Sequence, residues 1–388
     1  MKIVQYMSRM KLEDGGVVRA VLDLCGALAA RGHDVTLLAC DSSDVPLTWH
    51  SGGDGLPRVH TVQGRSGPLP RLTQPATLDA QRIIQQADVL HLHVPWDPIC
   101  IQLGRIARQA GVPYLVGIHG MLDDWSMKQK SLKKRLYLAT KGRRFLEQAA
   151  AVHCTAQAER EQSEKWYPKG RPVVLPLIFD LEEYIDLPGP QLARQAFASV
   201  IPSTDEPVLL FLSRLHPKKR VDLLIEAAGE LRRRGVSFKL LIAGTGDEPY
   251  EAQLRQLVKE RALTEEVAFV GFVTGKEKVS LYQAAHLFVL PTNQENWGFV
   301  LLESLACGTP VITTKGVDIW PELESTGGAV IADASPDAIA DAIVALLSDD
   351  PRRQSMGVKG RDWVLRNLTV ERVLDRYEQL YREISARD

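Results

Sequence analysis

The chain has 388 residues, 45% of them apolar and 24% charged, with a net charge of -1. That is the composition of a soluble globular protein long enough for two domains, and a balance so near zero gives no global attraction to nucleic acid. Cys25, Cys40, Cys100, Cys154 and Cys307 are scattered and odd in number, which excludes a disulfide framework and a Cys-built zinc site and makes the cytoplasm the expected compartment.

The first residues read as a strand, "KIVQYM", too short and interrupted to be the core of a secretory signal. No uncharged apolar stretch reaches the length of a membrane span. Gly15 and Gly16 then precede a helix expected over 16–30, whose Val18, Val21, Leu22, Cys25, Leu28 and Ala29 form one apolar side. The glycine pair lacks dinucleotide-fingerprint spacing, so NAD is disfavoured; it can let a phosphate or sugar approach the backbone, or simply make a tight turn. "DVTLLAC" is the next strand, and residues 51–74 read as a polar loop.

"DVLHLHV" places His91 and His93 on one strand face. They could pair on a metal, but no third ligand stands at recognisable spacing. His119 ends the strand "PYLVGIH", where it is either structural or directed to a ligand. A long helical stretch follows. Residues 125–146 hold eight Lys or Arg and no acid, interleaved with Trp125, Met127, Leu132, Leu136, Tyr137, Leu138, Phe145 and Leu146. Such a basic amphipathic segment suits an anionic membrane surface or a phosphorylated acceptor, or is an ordinary surface helix. "AVHCT" and "VVLPL" complete the alternation of strands and helices that predicts a mostly parallel sheet.

After a linker expected at 181–207, the alternation restarts with "VLLFLS", "FKLLIAG", "VAFVG", "LFVLP", "PVITT" and "GAVIA", separated by helices. The expected fold is α/β, with two Rossmann-like domains, 1–183 and 184–369, facing across a cleft; a C-terminal helix at 370–388 packs back on the first. Arg214 follows a strand and Lys219 begins a helix, so both cations fall at a strand's carboxyl end, where open α/β sheets bind ligands. A planar guanidinium and a compact ammonium suit a diphosphate, the alternative being a solvated basic turn. "AGTGDEP" is a further glycine turn of plain loop type. Gly298 opens a helix whose positive end suits an anion. In that helix Glu303 lies among Phe299, Val300, Leu301, Leu302 and Leu305, and a buried carboxylate needs a partner, either a nearby Arg or Lys or a ligand's hydroxyls. No Asp-x-Asp occurs, so the usual way of holding a divalent ion on a sugar nucleotide is missing.

Glu295 and Glu303 in "ENWGFVLLESLACGTPV", Arg214 and Lys219 in "SRLHPKK", Gly15-Gly16, "DVLHLH" and His119 together resemble the retaining GT-B glycosyltransferases of glycosyltransferase family 4, group 1. The resemblance runs through nearly the whole chain. "HGML", Trp125, the Lys-rich run and "VHCTAQAERE" are similar to the branch found in bacterial exopolysaccharide and lipopolysaccharide assembly. The resemblance implies transfer from a UDP- or GDP-sugar to a saccharide or lipid-linked saccharide, with no metal and no cofactor beyond the sugar nucleotide substrate. By the same resemblance Arg214 and Lys219 hold the diphosphate, Glu303 binds the ribose diol and Glu295 the sugar hydroxyls. Gly298, Phe299 and Val300 offer backbone amides, His119 lies against the transferred sugar, and Gly15-Gly16 lies near the diphosphate. "PLIFD", Arg220, Trp297 and "KGVDIWPELE" depart from the commoner family pattern without removing a charged group. A two-carboxylate hydrolase, a GT-B-like sugar-nucleotide epimerase and a silent sugar-nucleotide-binding partner are the competing readings.

Overall fold

The computed structural model describes residues 1–65, 67, 70–201 and 206–386. Parts of the expected loop at 51–74 (66, 68 and 69), of the expected linker (202–205) and of the expected last helix (387 and 388) lie outside the described residues. The chain forms two units, Met1–Phe179 with the segment from Val370 on, and Asp180–Thr369.

In the first unit the strands are β1 (Lys2–Tyr6), β2 (Asp34–Ala39), β3 (Arg58–Thr61), β4 (Gly64–Arg65), β5 (Arg71–Leu72), β6 (Val89–His93), β7 (Tyr114–Gly117), β8 (Ala151–Cys154) and β9 (Pro172–Val174). Seven of them make a parallel sheet in the order β3-β2-β1-β6-β7-β8-β9, with Ile3 opposite Val35 on one side and Val89 on the other. The order reverses direction between β1 and β6, which is where open sheets bind ligands. Helix Gly16–Ala30 packs through Val18, Val21, Leu24, Cys25 and Leu28; Leu24 is buried where the sequence reading had placed the half-buried Leu22. Helix Val370–Ser385 joins this core through Val373, Leu374, Tyr377, Leu380, Tyr381 and Ile384.

The loop reading of 51–74 is corrected, because β3 pairs with β2 and the short hairpin β4–β5 follows it. Arg58–Thr61 is a mostly exposed edge strand, so it shows no alternation of apolar and polar residues. The long helix expected after β7 is broken into Asp124–Lys128, Ser131–Tyr137, a π-turn at Leu138–Gly142 and Arg143–Glu147.

The second unit has β10 (Val208–Leu212), β11 (Lys239–Ala243), β12 (Val267–Gly271), β13 (Leu287–Leu290), β14 (Val311–Thr314) and β15 (Ala329–Ala332) in one parallel sheet, ordered β12-β11-β10-β13-β14-β15. Its direction reverses between β10 and β13. Residues 181–207 are not simply a linker. Helix Gln191–Ala196 packs in the second unit, where Ala193 N donates to Ser280 Oγ (2.9 Å) and Gly189 N to Gln283 Oε1 (2.7 Å). The units part after Phe179, ahead of the boundary expected after residue 183. Leu175 and Ile178 are buried in the first core, whereas the Tyr184 carbonyl accepts from Arg361 (2.8 Å) in the second. No helix among the described residues is long and apolar enough to cross a membrane.

Candidate functional site

In the second unit the chain leaving β10 crosses the strand ends. Ser213 N donates to Ala243 O (3.1 Å) and Leu215 N to Thr245 O (2.8 Å), so the glycine turn after β11 supports the loop that carries Arg214. Arg214 is exposed. A short turn, Pro217–Lys219, then buries Lys219, which is only 4% exposed. The following residue, Arg220, sits in the left-handed region (φ 55) that favours glycine, and its guanidinium is held by Asp222 (3.0 Å) and Asn293 (3.3 Å).

The chain leaving β13 is fastened to the same turn. The Lys218 carbonyl accepts from Asn293 N (2.8 Å) and Thr292 Oγ1 (3.1 Å). Glu295 is fixed through its backbone: its N–H donates to Gly316 O and its carbonyl accepts from Asp318 N, both at 2.9 Å. Across the gap between the loops, Lys219 Nζ pairs with Glu295 Oε2. Burial, then the nearby Lys218 and Arg214 charges, push the Lys219 ammonium down to about 7. Near neutral pH the group is divided between amine and ammonium, and an anion brought beside it favours the ammonium.

Gly298 (φ 66) turns the chain into helix Phe299–Ala306, and a Cβ there would stand 2.9 Å from Leu301 Cδ1 and 3.1 Å from Glu295 Cγ. Phe299 and Val300, half-buried, begin the helix at its positive end. Trp297 is buried, and its indole Nε1 has no hydrogen-bond partner among the described residues. Glu303 does have partners: Lys278 Nζ (3.1 Å) and the Tyr282 hydroxyl (3.0 Å). Of the two alternatives the sequence left open for this carboxylate, the nearby lysine is present within the fold. Lys278 and Tyr282 come from helix Gly275–Ala284, and neither was singled out from the sequence.

In the first unit Gly15 (φ 108) precedes Gly16, the first residue of helix Gly16–Ala30, and an added Cβ at either glycine would meet nothing within 4 Å. His119 stands two residues beyond β7 in the left-handed region (φ 47) and is 6% exposed. It is held there from two sides. Glu159, a wholly buried carboxylate, accepts from the backbone N–H of Gly120 and from Thr155 N and Oγ1 (2.5 and 2.9 Å), and His119 Nε2 meets His93 Nδ1 at 2.9 Å. Burial, and secondarily His153, push the His119 imidazole down to about 3, so the ring is neutral.

His91 and His93 do not stand as an open metal pair. Their ring nitrogens are engaged by Tyr381, His153, Gln5 and His119, and no group of three or more His, Cys, Asp or Glu among the described residues could hold a metal ion. Arg214, Lys219, Glu295, Gly298, Phe299, Val300 and Glu303 thus gather at the strand ends of the second unit, while Gly15, Gly16 and His119 belong to the first. Glu159, Lys278 and Tyr282 were missed, and only Glu303, set in an apolar run, signalled that a partner existed.

Two families match the chain, "Glycosyl transferase 4-like domain" at residues 15–177 and "Glycosyl transferases group 1" at 194–363. A GDP-mannose-dependent alpha-(1-6)-phosphatidylinositol monomannoside mannosyltransferase of Mycolicibacterium smegmatis is 32% identical over 276 residues, 68% of this chain and 69% of that protein. A D-inositol 3-phosphate glycosyltransferase of Kineococcus radiotolerans is 26% identical over 96% of this chain and 92% of its own. Among solved structures, Anabaena HepE in complex with UDP superposes with a TM-score of 0.78 at 18% identity, covering 99% of this chain and 100% of that one.

Proposed function

The chain belongs to the group 1 glycosyltransferases of GT-B fold, and from that premise we propose that it moves a sugar from a nucleoside-diphosphate sugar to an acceptor hydroxyl with retained anomeric configuration. The observation that carries the reading is the buried Lys219, paired with Glu295 beside the exposed Arg214 and the start of helix Phe299–Ala306, where the second sheet reverses direction. As the bond from the anomeric carbon to the diphosphate stretches, negative charge grows on the leaving oxygens. Lys219, Arg214 and the helix end stabilise it without a metal.

The acceptor oxygen attacks from the face the diphosphate leaves, a new carbon–oxygen bond replaces the broken one, and the hydroxyl proton passes to the departing diphosphate. Glu295 accepts from sugar hydroxyls, Glu303, paired with Lys278, accepts from the ribose diol, His119 contacts the transferred sugar, and Gly15-Gly16 adjoin the diphosphate. The 32% identical relative is GDP-mannose-dependent and acts on a phosphatidylinositol mannoside, which makes GDP-mannose the first donor to try and a lipid-linked saccharide of the cell envelope the first acceptor. Envelope polysaccharide assembly at the inner face of the cytoplasmic membrane is the setting this implies. The basic segment supplies a surface for it: Leu132 and Leu136 are 82% and 64% exposed among exposed Lys128, Lys130, Lys133 and Arg135.

The test incubates purified protein with GDP-mannose or UDP-glucose in chelator, with and without a membrane lipid extract. Acceptor-dependent release of nucleoside diphosphate, with product of the donor's anomeric configuration, is expected. Acceptor-free isomerisation, tight binding without turnover, or activity abolished by the chelator overturns it. Lys219→Ala and Glu295→Ala are each expected to reduce turnover severely while the fold persists.

A further inference from the structure

Four buried histidines of the first unit, His91, His93, His119 and His153, are linked by hydrogen bonds that reach the last helix of the chain. Burial, in each case the largest cause, holds His91 and His93 well below the ordinary 6.5 and takes His119 to about 3 and His153 to about 4. Each ring is therefore neutral, with one N–H and one lone pair.

The direction of the whole chain follows from one end. His153 Nε2 lies 2.9 Å from the Leu175 carbonyl, which can only accept, and 3.3 Å from the Tyr377 hydroxyl, which has the Pro176 carbonyl (3.2 Å) to donate to; the shorter contact puts the His153 proton on Nε2 and leaves its Nδ1 a lone pair. His91 Nε2, 3.3 Å from that Nδ1, must donate, which leaves His91 Nδ1 to accept from the Tyr381 hydroxyl at 3.0 Å. The Tyr381 oxygen, its proton committed, accepts from Gln5 Nε2 (3.2 Å). Gln5 Oε1 then faces His93 Nε2 at 2.8 Å and accepts from it, so His93 Nδ1 accepts from His119 Nε2. Flipping the Gln5 amide would reverse every step and set the His153 Nε2 lone pair 2.9 Å from the Leu175 carbonyl, with the Tyr377 hydroxyl at 3.3 Å as its donor at the expense of the Pro176 carbonyl. The far end is His119 Nδ1, buried and without a hydrogen-bond partner among the described residues. Gly117 keeps the last link open, since a Cβ there would lie 2.7 Å from His119 Nε2.

We propose that this one-way relay, anchored at Leu175 and passing through Tyr381, Gln5 and His93, fixes His119 as its Nε2–H tautomer, so that its Nδ1 lone pair accepts a hydrogen bond from a hydroxyl of the transferred sugar. The assignment of the hydroxyl rests on the glycosyltransferase reading; the tautomer does not. An unsatisfied buried acceptor is costly, and a hydroxyl donor relieves it where a phosphate oxygen, itself an acceptor, cannot. Gln5, His93 and Tyr381 are positioning residues, acting through His119.

Two-bond proton–nitrogen spectra of the full chain labelled with ¹⁵N-histidine distinguish the tautomers. All four rings are expected to carry the proton on Nε2, and the His119 Nδ1 resonance is expected to shift with GDP-mannose or UDP-glucose and not with GDP or UDP. In Gln5→Met and Tyr381→Phe, His119 is expected to lose its single tautomer, and affinity for the sugar nucleotide is expected to fall about 2- to 10-fold with affinity for the nucleoside diphosphate unchanged. A His119 protonated on Nδ1, a cationic His119 at neutral pH, or an unaltered tautomer in both variants overturns the relay. Four Nε2–H rings in a chain that binds neither GDP-mannose nor UDP-glucose would overturn the hydroxyl assignment together with the transferase reading, and leave the relay standing.

Discussion

Glu159 shows how much a single side chain can be asked to do. It is a wholly buried carboxylate whose two oxygens accept from three donors on two segments, one being the amide that follows the left-handed His119. Glu159→Gln keeps the shape but turns an N–H donor against those donors, and is expected to cost about 1–3 kcal/mol; Glu159→Ala, which strands all three, is expected to cost more, about 3–5 kcal/mol. Urea unfolding of the first unit measures both, and a change within about 0.5 kcal/mol would contradict the assignment. The buried histidines make a second prediction at this scale. Their folded values lie below the unfolded 6.5, at about 4 for His153 and about 3 for His119, so in that window the unfolded chain binds protons the folded chain refuses. Stability of the first unit should fall as the pH drops from about 6.5 toward 4, by up to about 1.4 kcal/mol per pH unit for each histidine that stays neutral. Urea midpoints that are flat across this range would show that the rings are solvated.

At the scale of elements, two short helices carry opposite burdens. Helix Phe299–Ala306 is entered through a left-handed Gly298 packed against Glu295 and Leu301. Gly298→Ala is expected to destabilise the second unit by about 1–2 kcal/mol and to lower turnover further than that loss explains, because the added carbon displaces Glu295; unchanged turnover would separate Glu295 from the chemistry. Helix Ser131–Tyr137 has no buried residue, so its leucines contribute little to the fold. Replacing Leu132 and Leu136 by serine is expected to weaken sedimentation with anionic vesicles while unfolding stays within about 0.5 kcal/mol; equal sedimentation would leave this helix an ordinary surface. The helix Gln191–Ala196 and the edge strand β3 were not legible in the sequence for related reasons. Gln191–Ala196 buries only Ala193, and β3 no residue at all, so neither carries enough apolar periodicity to stand out from a loop.

At the scale of the molecule, the first unit is closed by the far end of the chain. Val373, Leu374, Tyr377, Leu380, Tyr381 and Ile384 are all at most 4% exposed. At about 1.5–3 kcal/mol for each buried side chain, they contribute roughly 9–18 kcal/mol, which is comparable to the whole stability of a domain, about 5–15 kcal/mol. A chain ending at Thr369 is therefore expected to keep a folded second unit and an unfolded first one. Limited proteolysis reads this directly, and protection of β1 and β6 in the truncated chain would refute it.

Read alone, the sequence determined the two sets of parallel strands and the charged and glycine positions at their carboxyl ends, because alternating periodicities and strand-end residues are properties of one local segment. Only the tertiary structure decided which groups meet: Glu303 with Lys278 and Tyr282, Lys219 with Glu295, Gly120 with Glu159, and Gln5 with Tyr381 across 376 positions. The reason is physical. A buried polar group announces in the sequence that it needs a partner, but the partner is chosen by sheet order and helix packing, which bring remote segments within hydrogen-bonding distance and leave no trace at either site.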